Sequence, residues 1–195
     1  MTKPGHNTKR TGAEVMADML AGYGVTHVFM VPAVLRRSFV EMERRTKIAR
    51  IHCHGEKSAV YMADGYARAS GKPGICMAQV IGALNLAAGL RDAFLAHSPI
   101  IAMTGGRDAR TKFRKVYQEI DDMPAFEPVT KMNVTVDDVA RFPDMIRQAF
   151  RVATSGAPGP VHLQFRGNEG QIDQEEAEME PLVETQFAQV PPFRP

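Results

Sequence analysis

The chain has 195 residues, enough for one domain with a real core and too few for two of ordinary size. Hydrophobic residues make up 44% and charged residues 24%, a globular balance, and a formal net charge of +2 is too thinly spread for a nucleic-acid footprint. No apolar run approaches the ~20 residues that span a bilayer, and the N-terminus lacks the apolar stretch of a signal peptide, so a cytoplasmic protein with no membrane contact is expected.

After a polar arm at 1–10, Thr11 is placed to cap a helix whose Val15, Met16, Met19 and Leu20 recur at helical spacing, with Gly22 and Gly24 at its end. Residues 25–32 are short, β-branched and nearly all apolar, as in a strand covered on both faces, and a second helix is predicted over 33–45. Residues 48–53 form the next strand. A helix opens at Glu56 and stops at Gly71-Lys72-Pro73-Gly74; Ala59, Val60, Met62, Ala63, Tyr66, Ala67 and Ala69 line its apolar side, while Lys57, Asp64 and Arg68 project elsewhere.

Strands are then expected at 74–80, 99–104, 129–136 and 160–165. Helices are expected at 82–97, with Leu84, Leu86, Ala87, Leu90, Ala93 and Phe94 inward, and at 137–154, capped by Asp137. Residues 107–128 read as an irregular stretch with one helical turn near 117–121, and unstructured loops this long are usually functional or mobile. Its basic cluster at 107–115 reads as a solvated loop near a site mouth. From Gly167 the composition turns acidic and Pro-rich, which predicts a linker or docking tail over 167–195.

Strands alternating with helices predict an α/β fold with a six-stranded parallel sheet, helices on both faces, and ligands beyond the carboxyl ends of the strands. Pro32, Glu56, the turn at 80–82 and Gly105 all fall at those ends. Cys53 and Cys76 sit in strand-like segments, offer no disulfide framework, and are expected to be core thiols in a reducing compartment.

Several familiar sites are excluded by spacing. Five residues separate Gly65 from Gly71-Lys72, and Pro73 stands where a phosphate loop needs Ser or Thr. No Gly-x-Gly-x-x-Gly follows a strand. His52 and His54 share one side of a strand, but no CxxC or HExxH supplies the further ligands a zinc site needs, so no metal site is expected in this chain.

Glu56 has two readings on position alone. An acid in the first turn is favoured by the helix macrodipole, and an acid at a strand end is placed for proton transfer. The run from His54 through Gly65-Tyr66-Ala67-Arg68-Ala69, with the acid nine residues before the Gly, resembles the glutamate-bearing helix of thiamine-diphosphate enzymes of the acetolactate synthase type. The likeness continues through Cys76-Met77-Ala78, through Gly82-Ala83-Leu84-Asn85-Leu86-Ala87-Ala88-Gly89-Leu90-Arg91-Asp92-Ala93, and on to Gly105. It covers residues 11–166 as that family's aminopyrimidine-binding, or PYR, domain.

The resemblance implies thiamine diphosphate as cofactor. It implies that Glu56 hydrogen-bonds the N1′ of the aminopyrimidine and activates the thiazolium C2, which requires a carboxyl desolvated enough to hold or share a proton near neutral pH. Cofactor contacts are implied at Pro32, Ala33, Val80, Gly82 and Asn85, and at Gln118 of Tyr117-Gln118-Glu119, whose counterpart reaches the active site across a subunit interface. For Asn85 a helix cap, and for Gln118 a loop polar residue, remain open. His54 lines the pocket beside Glu56 or is a polar strand end, and Lys57 pairs with an anionic substrate or is a surface lysine.

Two departures concern the substrate. Val80-Ile81-Gly82 stands where the family usually has Gly-Pro-Gly, and Lys57-Ser58 where it has Gln-Gly. A third concerns the cofactor: nothing matches the Gly-Asp-Gly and distant Asn of the diphosphate-binding (PP) domain, which holds Mg²⁺ and the phosphates. The expectation is therefore the PYR subunit of a split enzyme, a lyase or transferase that decarboxylates a 2-oxo acid and can join the product to an acceptor. Its partner would be a PP-domain subunit carrying the Mg²⁺, in a hetero-oligomer with at least two copies of each chain. The rivals are an N-terminal fragment of a longer acetolactate synthase-like chain and a non-catalytic stabilising or regulatory paralogue. Faces lined by Ala59, Ala63 and Ala67 and by Ala83, Ala87 and Leu90 are expected to form the obligate interface.

Overall fold

Strand and helix alternate through the computed structural model, which describes residues 9–184. In order they are β1 (Lys9–Thr11), α1 (Gly12–Gly22), β2 (His27–Met30), α2 (Arg36–Arg45), β3 (Ala49–His52), α3 (Glu56–Ser70), β4 (Gly74–Ala78), α4 (Ala83–Leu95), β5 (Ile100–Gly105), β6 (Met132–Val136), α5 (Phe142–Thr154), β7 (Val161–Phe165) and β8 (Glu176–Glu178). Six strands form one parallel sheet in the order β3-β2-β4-β5-β7-β6, the architecture expected from the alternation.

Side chains leave a strand alternately to its two faces, and the central strands are apolar on both. Ile75, Met77, Ile101 and Met103 pack under α1, α2 and α5; Cys76, Ala78, Ile100 and Ala102 pack under α3 and α4. Each fully buried Ile or Met among these stabilises the fold by about 1.5–3 kcal/mol. Thr11 caps α1 as expected: Glu14 N–H donates to Thr11 Oγ1 at 3.2 Å, and Thr11 N–H donates back to Glu14 Oε2 at 3.0 Å. Both cysteines are buried free thiols. No helix among the described residues is long and apolar enough to cross a membrane.

Several boundaries differ from expectation. The second helix begins at Arg36, not at 33, because Ala33 and Leu35 take left-handed conformations with φ of 83° and 44°. The helix expected from 137 begins at Phe142 with Arg141 at its capping position and no side-chain cap; Asp138, not Asp137, caps the short turn Val139–Arg141 before it, its carboxylate accepting Ala140 N–H. Within 107–131 the short helical turns fall at Ala109–Thr111, Met123–Ala125 and Glu127–Val129, not near 117–121. Asp64, expected outward, is buried and pairs with Arg68, while Leu84, expected inward, is exposed.

Two larger corrections concern surfaces. Residues 167–184, expected as linker or docking tail, lie against the domain: Ile172, Asp173 and Met179 are buried, and β8 pairs antiparallel with β1, which the polar arm contributes. The rest of that arm (1–8) and the Pro-rich end (185–195) lie outside the described residues. Ala59, Ala63, Ala67, Ala83, Ala87 and Leu90 are buried where α3 and α4 pack on each other and on the sheet, so they form core rather than interface. Large apolar side chains left exposed on α3, α4 and the turn before α4 include Tyr61, Met62, Ile81, Leu84 and Leu95.

The second half of the long loop is held to the sheet by a buried polar ladder. Phe126 stacks on His162 at 3.5 Å between ring centroids, and Asn133 Nδ2 donates to Met123 O. The Asn133 oxygen thus faces His162 Nδ1 at 2.7 Å, so the neutral ring donates from Nδ1 and accepts the Thr104 hydroxyl at Nε2, 2.8 Å away. Gln164 Nε2 donates to Asp122 Oδ1, and Asp122 Oδ2 is buried without a partner among the described residues.

Burial pushes His162 down to about 3 and Asp122 up to about 6. The unfolded chain protonates His162 from pH ~6.5 downward, so the stability carried by the neutral ring is full above that pH and lost as pH falls towards 3, by ~1.4 kcal/mol per unit. Asp122 acts oppositely: its buried charge costs stability above pH 6, and acidification from 6 to 3.8, its ordinary value, recovers it. Asp122→Asn is therefore expected to raise stability at pH 8 and to steepen the loss between pH 6 and 4 in urea titrations. A variant less stable than wild type at pH 8 would contradict this.

Candidate active site at the carboxyl ends of β2, β3 and β4

The chain leaves β2 towards β3 at one side of the sheet and leaves β4 towards β5 at the other, so strand order reverses between β2 and β4. Open parallel sheets bind ligands at such a point because the diverging connections leave a crevice above the carboxyl ends. Pro32 and Ala33 follow β2, Glu56 follows β3, and Val80 and Gly82 follow β4 in a short 3-10 turn (Val80–Gly82). Val31 N–H donates to Met77 O at 3.3 Å, which keeps the chain beyond β2 against β4.

Glu56 is the first residue of α3, where free N–H groups and the macrodipole favour a carboxylate. Its side chain is partly buried rather than withdrawn from solvent. Asn85 Nδ2 donates to Glu56 Oε2 at 3.2 Å. Asn85 is the third residue of α4 and does not cap it: the capping position is Gly82, with no side-chain cap. On the other side the carboxyl lies against Gly82, where a Cβ would come within 2.4 Å of Oε1 and 2.5 Å of Cδ. Only a glycine lets the turn and the acid approach this closely.

The structure thus brings Glu56, Gly82 and Asn85 into contact. Val80 is buried in the same turn, Pro32 is exposed and Ala33 half-buried in the neighbouring one. Gln118, at φ 63°, accepts a hydrogen bond from Gln79 Nε2 at 3.0 Å, so it folds onto the end of β4 in its own chain. His54 and Lys57 are exposed, His54 in the bend before α3 and Lys57 on its first turn. Among the described residues no three His, Cys, Asp or Glu side chains converge to hold a metal ion.

Gln79 was not singled out from sequence, although a polar residue closing an apolar strand was a usable signal. A cavity of about 440 Å³ lies apart from Glu56, lined by Asp108, Arg110, Tyr117, Arg166, Asn168 and Glu175 among others. Its charges are paired, Arg110 with Asp108 and Arg166 with Glu175, and the Arg110 guanidinium holds Asp108 down at about 2. The basic cluster at 107–115 is thus partly neutralised, Arg107 also pairing with Asp121.

Residues 10–125 match the family model described as thiamine pyrophosphate enzyme, N-terminal TPP binding domain. The chain is 35% identical over 165 residues to a probable acetolactate synthase large subunit of Methanocaldococcus jannaschii, covering 83% of this chain and 28% of that protein. It is 39% identical over 154 residues to the chloroplastic acetolactate synthase of Arabidopsis thaliana, covering 78% and 23%. Among solved structures, a putative thiamin diphosphate-dependent enzyme from Mycobacterium smegmatis superposes with a TM-score of 0.77 at 26% identity, over 90% of this chain and 34% of that one. The chain spans about a quarter of the length of these curated relatives.

Proposed function

Because the chain belongs to the thiamine pyrophosphate enzymes, through their N-terminal TPP-binding domain, we propose that it is the PYR subunit of a split enzyme acting on a 2-oxo acid, with Glu56 as the activating acid. The observation that carries this reading is the Glu56 carboxyl at a strand-end crevice, with Oε2 engaged by Asn85 and the opposite side cleared by Gly82. A crevice in which a carboxyl is left this room, beside Pro32, Ala33 and Val80, fits the pyrimidine end of thiamine diphosphate. When bound, the cofactor supplies a carbon nucleophile and an electron sink for decarboxylation.

Within that division of labour, Asn85 orients the acid, and Glu56 Oε1 is the oxygen assigned to hold and share a proton with the ring nitrogen N1′. Pro32, Ala33 and Val80 form the wall, and Gln118, bonded to Gln79 in this chain, is assigned to the cofactor site across the subunit interface. Lys57 and His54, exposed at its rim, are placed to meet a substrate's anionic groups. Mg²⁺ and the diphosphate are assigned in this reading to the PP domain. In this reading the partner is a PP-domain subunit, in a hetero-oligomer of at least two copies each. The likeness to acetolactate synthases is equally compatible with a second reading, in which the PP domain belongs to the same longer polypeptide.

Co-expression with a PP-domain polypeptide encoded beside it tests the proposal by light scattering and by assay of each chain alone and together. Activity is expected only in the pair. A monomer of this chain that turns over a 2-oxo acid unaided would refute the split, and an inactive pair with intact assembly would favour a stabilising or regulatory paralogue.

A further inference from the structure

The turn at 167–170, just after β7, touches the carboxyl ends of three other strands. Gly106 N–H, past β5, donates to Gly167 O at 2.8 Å; Val80 N–H, past β4, donates to Asn168 O at 3.0 Å; Leu35 N–H, past β2, donates to Glu169 O at 2.6 Å. Arg36 pairs with the Glu169 carboxylate at 2.9 Å. Gly170 takes φ 71°, and a Cβ there would stand 2.7 Å from Leu35 Cδ2. The segment expected to be a linker is therefore packed across the crevice-forming turns.

α2 lacks a local cap. Its capping residue Leu35 is left-handed and supplies no side-chain hydrogen bond. The acceptor comes from Asp173, buried at 1% exposure: Oδ2 accepts Ser38 N–H at 3.0 Å and the Ser38 hydroxyl at 2.9 Å. Burial raises this carboxyl above its ordinary range, and the bonds from Ser38 oppose the rise. Ala33 and Leu35 both occupy a region that costs a side-chain-bearing residue free energy, and such conformations persist only where surrounding contacts impose them.

We propose that Asp173 and the 167–170 turn are positioning elements of the site, which impose the left-handed conformations of Ala33 and Leu35 and the placement of Val80 and so set the wall beside Glu56. The inference rests on the reading that this wall meets thiamine diphosphate. Neither Asp173 nor the turn touches Glu56; they act through Leu35, Ser38 and Val80.

Amide hydrogen exchange of the full chain, followed by NMR, tests it without cofactor. Asp173→Ala is expected to speed exchange at Leu35, Ser38 and Val80 about tenfold or more, as expected for loss of a charged hydrogen-bond acceptor, while Leu90 in α4 and Ile101 in β5 stay protected. Asp173→Asn, which keeps an acceptor and the volume, should restore protection. Should Asp173→Ala not fold, Gly170→Ala, which presses on Leu35, is expected to perturb the same amides. Unchanged exchange at Leu35 and Val80, or an equal rise at every amide, would overturn the proposal. In the assembled enzyme, Asp173→Ala should raise the KM for thiamine diphosphate about tenfold or more with little change in kcat. Local exchange altered with that KM unmoved would count against the cofactor reading and leave the positioning of the turn intact.

Discussion

Glu56→Gln is expected to lower turnover of the assembled enzyme by ~10²-fold or more, as for a lost general acid–base group, with the fold intact. The amide is close to the carboxyl in volume, and its oxygen can still accept Asn85 Nδ2 from 3.2 Å, so neither packing nor that bond is lost. What disappears is the ability to carry a proton. The helix loses a first-turn carboxylate, a loss of about 0.3–1 kcal/mol, which is small beside the ~2.7 kcal/mol of barrier that a hundredfold represents. Thermal unfolding should therefore shift little while kcat falls. His54→Ala, at an exposed rim position, should cost far less. Turnover of Glu56→Gln within a few-fold of wild type would end the assignment.

Gly82→Ala is the second large effect, and its cause is steric. At φ −92° the backbone accepts any residue, so the substitution carries no conformational penalty. The added methyl would lie 2.4 Å from Glu56 Oε1 and 2.5 Å from Cδ and Cγ, far inside contact distance. The acid ends a flexible side chain and is partly exposed, so it can swing away without unfolding α3. A displacement of about 1 Å can cost on the order of 10²-fold in rate when the group must meet a ring nitrogen at hydrogen-bond distance. The expected result is a folded, assembled protein with turnover reduced to the level of Glu56→Gln, and a double variant no worse than either single one. Additive losses would show that Gly82 acts other than through Glu56.

Ala59, Ala63 and Ala67, first expected at an interface, are buried, while Tyr61, Met62, Ile81 and Leu84 are exposed. A period of 3.6 residues identifies an apolar stripe but not what covers it. On α3 the alanine stripe is covered by α4 and the sheet, because small side chains let helices approach closely and so suit the interior.

From the residues alone came the alternation that dictates a parallel sheet, the Thr11 cap, the helix opening at Glu56, and the strand-end positions of Pro32 and Gly82. These are encoded within a few residues: periodicity, caps and turn formers act over one or two turns of chain, so a local reading recovers them. Only the tertiary structure decided that Asn85 faces Glu56 rather than capping α4, that Gln118 lies on Gln79, and that the acidic segment after β7 belongs to the domain. Asp173 caps a helix 135 residues earlier, and nothing local to Ser38 or Asp173 marks them as partners. Such contacts depend on which strands become neighbours, and that order arises only when the whole chain has buried both faces of its sheet.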